Sequence, residues 1–150
     1  TPLHLWRNEE KDILKNDTLI PRTLLADGAD PYDPNSYDKY NMPGYAPTFI
    51  FNDILNYVDN IGADPFSIFW ESPIPHVPLQ APKNWIDHYV QKFGDEEPYL
   101  GDKGYFPCRY PNATYAAMIS YFDENIGKLI QKLNSHLFHF LFQWYLLFFH

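Results

Sequence analysis

One cysteine stands in the whole chain, Cys108, so no disulfide can form within it, and the count says little about compartment. Basic residues are few as well: 11 Lys and Arg against 19 Asp and Glu give a formal charge of −8. Neutralising a nucleic-acid backbone takes clustered Lys and Arg, so no nucleic-acid partner is expected. A small anionic substrate stays open, because the charge inside a cleft can differ from the net value. The first stretch, "TPLHLWRNEEKD", is charged and lacks the apolar core of an export signal. It begins on threonine, and the natural N-terminus is expected upstream. Residues 134–150 hold no Lys, Arg, Asp or Glu, but they carry His136, His139, His150 and a glutamine. That stretch falls short of the roughly 20 apolar residues that cross a bilayer, so no membrane span is expected.

What the chain does have is proline and aromatic rings. Hydrophobic residues make up 45% and aromatics 19%, which places 150 residues in the class of a globular domain with a real core. The 14 prolines imply much ordered loop. They crowd around one histidine in "SPIPHVPLQAP", residues 72–82, where Pro75 precedes His76 and Val77 is restrained by Pro78. Proline fixes φ and pushes the preceding residue toward extended geometry. A histidine held this way has its ring direction largely decided by the main chain. That suits a site residue, and it equally suits a loop that merely needs to be stiff.

Along the chain, residues 1–47 read as loop-rich. The acids of "ADGADPYDPNSYDKYNMPGY" do not meet the alternate-position rule of a helix–loop–helix calcium site, and a solvated acidic loop is expected. From Thr48 the spacing of Phe51, Ile54, Leu55, Val58 and Ile61 predicts a helix, with Thr48 as its cap and Gly62 as its stop. "FSIFW", after Pro65, reads as a short buried strand running into the histidine loop. In open α/β sheets ligands bind at that end of the strands. Asn84 is expected to cap a short helix with Trp85, Tyr89 and Phe93 on one face. Turn chemistry fills 94–111. The final helix is predicted to bury Tyr115, Met118, Ile119, Phe122, Ile126, Leu129, Ile130 and Leu133, with Glu124 and Lys128 paired on its outer side. The tail after Leu133 has neither clean helical nor alternating spacing. Its three histidines lack the spacing of a metal site, and the triplets Asn16-Asp17-Thr18 and Asn112-Ala113-Thr114 read as chance glycosylation signals.

"PFSIFWESPIPHVPLQAPKNWIDHYV" followed by "YPNATYAAMISYFDENIGKLIQKL" resembles the middle of sulfatases of the arylsulfatase A type, members of the alkaline-phosphatase-like superfamily. "LWRNEE" and "FGDEEPYLGDKGYFPCRYP" fit the same pattern, so the resemblance covers about residues 1–133. It implies part of an α/β fold, helices packed on a mostly parallel sheet. It implies hydrolysis of sulfate esters by a formylglycine nucleophile with a divalent cation, usually calcium. It also implies that His76 contacts the sulfate and is the candidate proton donor to the leaving oxygen, serving as both the catalytic and the substrate-binding residue. The expected partners are a sulfated small molecule or a sulfated glycan, and the parent enzyme is expected to be exported.

Three departures qualify what the resemblance carries. Cys108 lies in Cys-Arg-Tyr-Pro, which is not the C/S-x-P/A-x-R motif of the family's nucleophile, and it follows the histidine loop instead of preceding it. The paired metal-binding acids and the D-N-G strand are absent from this sequence. Residues 134–150 are expected to be an aberrant apolar tail such as a shifted reading frame produces. No metal ligand is assigned, no cation is expected on this segment, and the chain alone is expected to be inactive. The competing expectation is a non-catalytic binding or interaction protein built on the sulfatase scaffold.

Overall fold

The computed structural model describes residues 4–14, 24–41, 44–62 and 64–148, with side chains in the last helix described as far as Ser135. The chain divides into two compact units. The triplet at Asn16 and the histidines 136, 139 and 150 lie outside the residues whose side chains are described.

The first unit comprises residues 1–46 and 73–121. It opens with an antiparallel hairpin of β1 (His4–Arg7) and β2 (Glu10–Ile13), in the register Arg7↔Glu10 and His4↔Ile13. The strands turn at Asn8, whose φ of 55° is the left-handed geometry that asparagine tolerates best after glycine. This hairpin replaces the loop expected there. "RNEE" is not one of the strong turn dipeptides, and the short strands carry little apolar alternation. A 3-10 helix over Pro34–Tyr40 follows, capped by Asp33, whose side chain accepts from the Asn35 N–H at 2.9 Å. It buries Tyr37 and Tyr40.

Helix α2 (Lys83–Phe93) has Pro82 at its cap and Asn84 inside its first turn, so the predicted cap is corrected by two residues. Its aromatic face is real but shallow: no α2 residue is fully buried, and Phe93 is exposed. Tyr89 reaches Ser120 through a 2.6 Å hydrogen bond. Gly94, at φ 79°, ends the helix by donating to Val90 O.

Helix α3 (Pro111–Phe148) begins on the last residue of the expected turn segment, with proline at a position where its missing N–H costs nothing. Its buried stripe is Ala113, Ala117, Tyr121 and Asn125, with Thr114 and Met118 beside it. Tyr115 and Ile119, expected in the core, are each 46% exposed. The small side chains of Ala113 and Ala117 let neighbouring chain approach closely, so the face that packs is not the one with the largest apolar residues. The predicted Glu124–Lys128 pair forms at 2.6 Å. The helix backbone also passes Leu133 without a break, although the sequence beyond it has no clean helical spacing.

The second unit comprises residues 47–72 and 122–150. Most of α1 (Ala46–Asn60) belongs to it, with Phe51 and Val58 buried as expected. Thr48 lies inside the first turn of α1, not at its cap. Trp70 stacks on Phe51 at 5.8 Å and meets Phe122 edge-on at 5.2 Å, while Phe66 meets Tyr57 at 5.9 Å. An ion pair of Lys132 with Asp59 at 2.5 Å adds a polar tie.

"FSIFW" is not a strand. Among the described residues the hairpin is the only sheet, so the mostly parallel sheet is not formed there. The segment is nevertheless strand-like. From Pro65 to Ser72 burial alternates residue by residue, with Phe66, Ile68, Trp70 and Ser72 turned inward and Phe69 88% exposed. The extended backbone turns successive side chains to opposite sides, so the buried strand expected here is neither wholly buried nor paired, since strand identity needs a hydrogen-bonded neighbour.

Candidate active site around His76

The peptide bonds Ile74–Pro75 and Val77–Pro78 are both cis, so a cis proline stands on each side of His76. The turn Pro73–His76 closes with the His76 N–H donating to Pro73 O at 2.7 Å and carries its cis proline third. Nδ1 of His76 lies 2.6 Å from Val77 O. A carbonyl oxygen can only accept, so Nδ1 holds the proton and Nε2 is the nitrogen left for an outside partner. The ring is exposed.

Two other segments meet this loop. Gln80 Nε2 donates to Tyr40 O at 2.9 Å, tying the loop to the end of the 3-10 helix. Tyr40 is buried, donates its hydroxyl to Leu24 O at 2.8 Å and stacks on Phe106 at 6.2 Å. Phe106 belongs to the loop 99–108, closed at its base by two backbone bonds between Tyr99 and Cys108 of 2.8 and 2.9 Å. Inside this loop the Tyr99 hydroxyl accepts the N–H of Lys103 at 2.9 Å and of Tyr105 at 3.4 Å. Gly101 and Gly104, at φ 93° and 95°, make the bend that a side chain would resist. The loop returns Tyr105 to His76, ring centroids 6.5 Å apart and nearly perpendicular. His76, Tyr105, Phe106, Tyr40 and Gln80 thus form a closed circuit of contacts. Sequence reading finds His76 and quotes Gln80 only as part of a motif. It misses Tyr105, which stands 29 residues from His76 and has no local signal.

Behind the loop, Arg109 is the main fastener. Only 6% exposed, its guanidinium donates to Tyr32 O at 3.0 Å and Glu96 O at 2.8 Å, and pairs with the Asp95 carboxylate. Its plane lies over the rings of Tyr110 and Tyr32, 4.3 and 5.1 Å away. The carboxylate of Glu96 accepts from the N–H groups of Asn112 and Ala113 at 2.7 and 3.0 Å, capping α3 from outside the helix. Thr114 of the second glycosylation triplet is buried, and Cys108 Sγ donates to its hydroxyl at 3.4 Å. Burial pushes the Cys108 thiol above its ordinary range. A buried, thiol-form cysteine whose backbone closes a loop is a structural residue.

Among the described residues no group of three or more His, Cys, Asp or Glu is placed to hold a metal ion. The divalent cation implied by the resemblance therefore finds no matching donor set there, and no step is routed through it. No helix of the described residues is long and apolar enough to cross a membrane.

Comparison with curated proteins gives no match. The family model described as Sulfatase matches residues 3–142, a span that holds the histidine loop, the loop 99–108 and most of α3. With nearly the whole length matched, the chain belongs to the sulfatase family.

Proposed function

We propose that this chain is a segment of a sulfuric ester hydrolase and that His76 meets the sulfate and hands a proton to the leaving oxygen. The carrying observation is the 2.6 Å bond from Nδ1 to Val77 O on a loop stiffened by proline. When the nucleophile of the complete enzyme bonds to sulfur and the bridging S–O bond of R–O–SO3− breaks, the leaving alkoxide or phenoxide needs a proton. An imidazolium at His76 supplies it from Nε2 and becomes the neutral ring with its Nδ1 proton in place. The ring need not turn between the two states, because Val77 O accepts the same bond in both. Substrates of this reading are sulfated small molecules or sulfated glycans, the class on which sulfatases act.

The arylsulfatase A-like subtype, the formylglycine nucleophile and calcium as the cation belong to this proposal and rest on the resemblance of the quoted motifs. So does the alkaline-phosphatase-like α/β fold, in which residues 65–72 would hold a strand position. The composition break at Asn134 supports reading 134–150 as foreign sequence, although the family match runs to residue 142. Lacking the nucleophile motif and the metal set, the chain alone is expected not to turn over an aryl sulfate. Histidine nitrogen resonances test the central point. Sodium sulfate, against sodium chloride at equal ionic strength, should move the Nε2 signal of His76 and leave Nδ1 in place. An unresponsive His76 would refute the reading.

A further inference from the structure

We infer that Tyr105 is the positioning residue for His76, holding the imidazole in the rotamer that keeps Nδ1 on Val77 O and Nε2 free. This inference rests on the reading of His76 as the sulfate-facing group. One hydrogen bond to a neighbouring carbonyl fixes a point on the ring but leaves the plane free to rock about that bond. A second contact is needed to fix the plane, and the near-perpendicular ring of Tyr105 at 6.5 Å is that contact. The approach does not follow from core packing, because Tyr105 remains 43% exposed and His76 is exposed too. Its backbone, by contrast, is well determined. The Tyr99 hydroxyl accepts the Tyr105 N–H at 3.4 Å and the Lys103 N–H at 2.9 Å, and the Gly104 N–H donates to Gly101 O at 3.1 Å. The adjacent Phe106 stacks on Tyr40, whose carbonyl holds Gln80 of the histidine loop. Two loops distant in sequence are thereby locked at a shared base, and one exposed ring of each meets the other. That is how a side chain is aimed, not how a core is filled.

The test is a long-range nitrogen–proton spectrum of the histidines in the full chain and in Tyr105→Leu, Tyr105→Phe and Tyr99→Phe. Wild type should show His76 as a single Nδ1–H tautomer. Tyr105→Leu keeps the backbone N–H that Tyr99 accepts but removes the ring, and its His76 signals should shift toward a mixture of both tautomers. Tyr105→Phe keeps the ring contact and should restore the wild-type pattern. Tyr99→Phe loosens the loop and should shift His76 in the same direction as Tyr105→Leu. The amides of Lys103 and Cys108 report whether the loop is still closed. A wild-type tautomer pattern in both Tyr105→Leu and Tyr99→Phe overturns the role of Tyr105 whether or not the loop has opened, and leaves His76 untouched. A wild-type His76 that ignores added sulfate in the same samples overturns the hydrolase reading, and this inference with it.

Discussion

Replacing Arg109 with alanine should be among the most damaging single changes in the first unit. The side chain is 6% exposed and closes contacts to residues 77 and 13 positions away in sequence. Its partner Asp95 is 68% exposed, so that carboxylate rehydrates when the guanidinium goes and contributes little to the loss. The carbonyls of Tyr32 and Glu96 lose charge-assisted bonds worth about 1.5–3 kcal/mol each. The stacked rings add about 1 kcal/mol of cation–π attraction. A loss of about 4–7 kcal/mol results. Against a total stability of about 5–15 kcal/mol, that is a quarter or more. Urea unfolding followed by near-ultraviolet circular dichroism reads it directly: with a slope of about 2 kcal/mol/M, the midpoint should fall by roughly 2 M or more. Arg109→Lys keeps the charge but loses the fork, and it should recover less than half of the shift. A midpoint change of less than about 0.5 M in Arg109→Ala, or a lysine variant equal to wild type, would refute the argument.

Other outcomes follow from the same structure. Glu96→Gln should cost about 1 kcal/mol and speed amide exchange at Asn112 and Ala113, since a neutral amide caps the positive end of α3 less well than a carboxylate. Tyr45→Phe should be neutral or stabilising by about 1 kcal/mol in urea titration, because the Tyr45 hydroxyl is buried without a hydrogen-bond partner among the described residues while its ring contact with Tyr121 is kept. Burial raises Cys108 above its ordinary 9.0 and Tyr45 above 10.0 in the folded chain. The unfolded chain therefore releases these protons first, and the stability they contribute is complete below about pH 9 and declines as the pH rises past it. Tyr45→Phe should remove the part of that decline that begins near pH 10. Cys108 should resist a thiol reagent in the folded chain and react fully in urea.

Helices were the most legible part of the sequence. Gly62 and Gly94 mark two helix ends with positive φ, and the Glu124–Lys128 spacing yields the ion pair it predicts. The face of α3 was less legible, because hydropathy favours Tyr115 and Ile119 whereas close packing selects Ala113 and Ala117. "FSIFW" shows the limit of composition: a mostly apolar run reads as a buried strand, whereas Ser67 and Phe69 face outward and no strand neighbour pairs with it among the described residues. The stiffened backbone around His76 was legible because proline acts on the residue beside it, and local chemistry can be read locally. Tyr105, Gln80 and Arg109 act through partners 13 to 77 residues away, and one sequence does not pair distant loops.

The alternation between Pro65 and Ser72 sets a two-residue rhythm in the substitutions this stretch can absorb. At Ser67, Phe69 and Glu71 side chains meet water, and exchange for polar residues of other shapes should leave the fold intact. At Phe66 and Trp70 the rings are held by Tyr57, Phe51 and Phe122, and only residues of similar bulk can replace them. In a saturation library the stretch would read as tolerant, intolerant, tolerant, intolerant. That pattern records an extended backbone in a segment with no strand ladder.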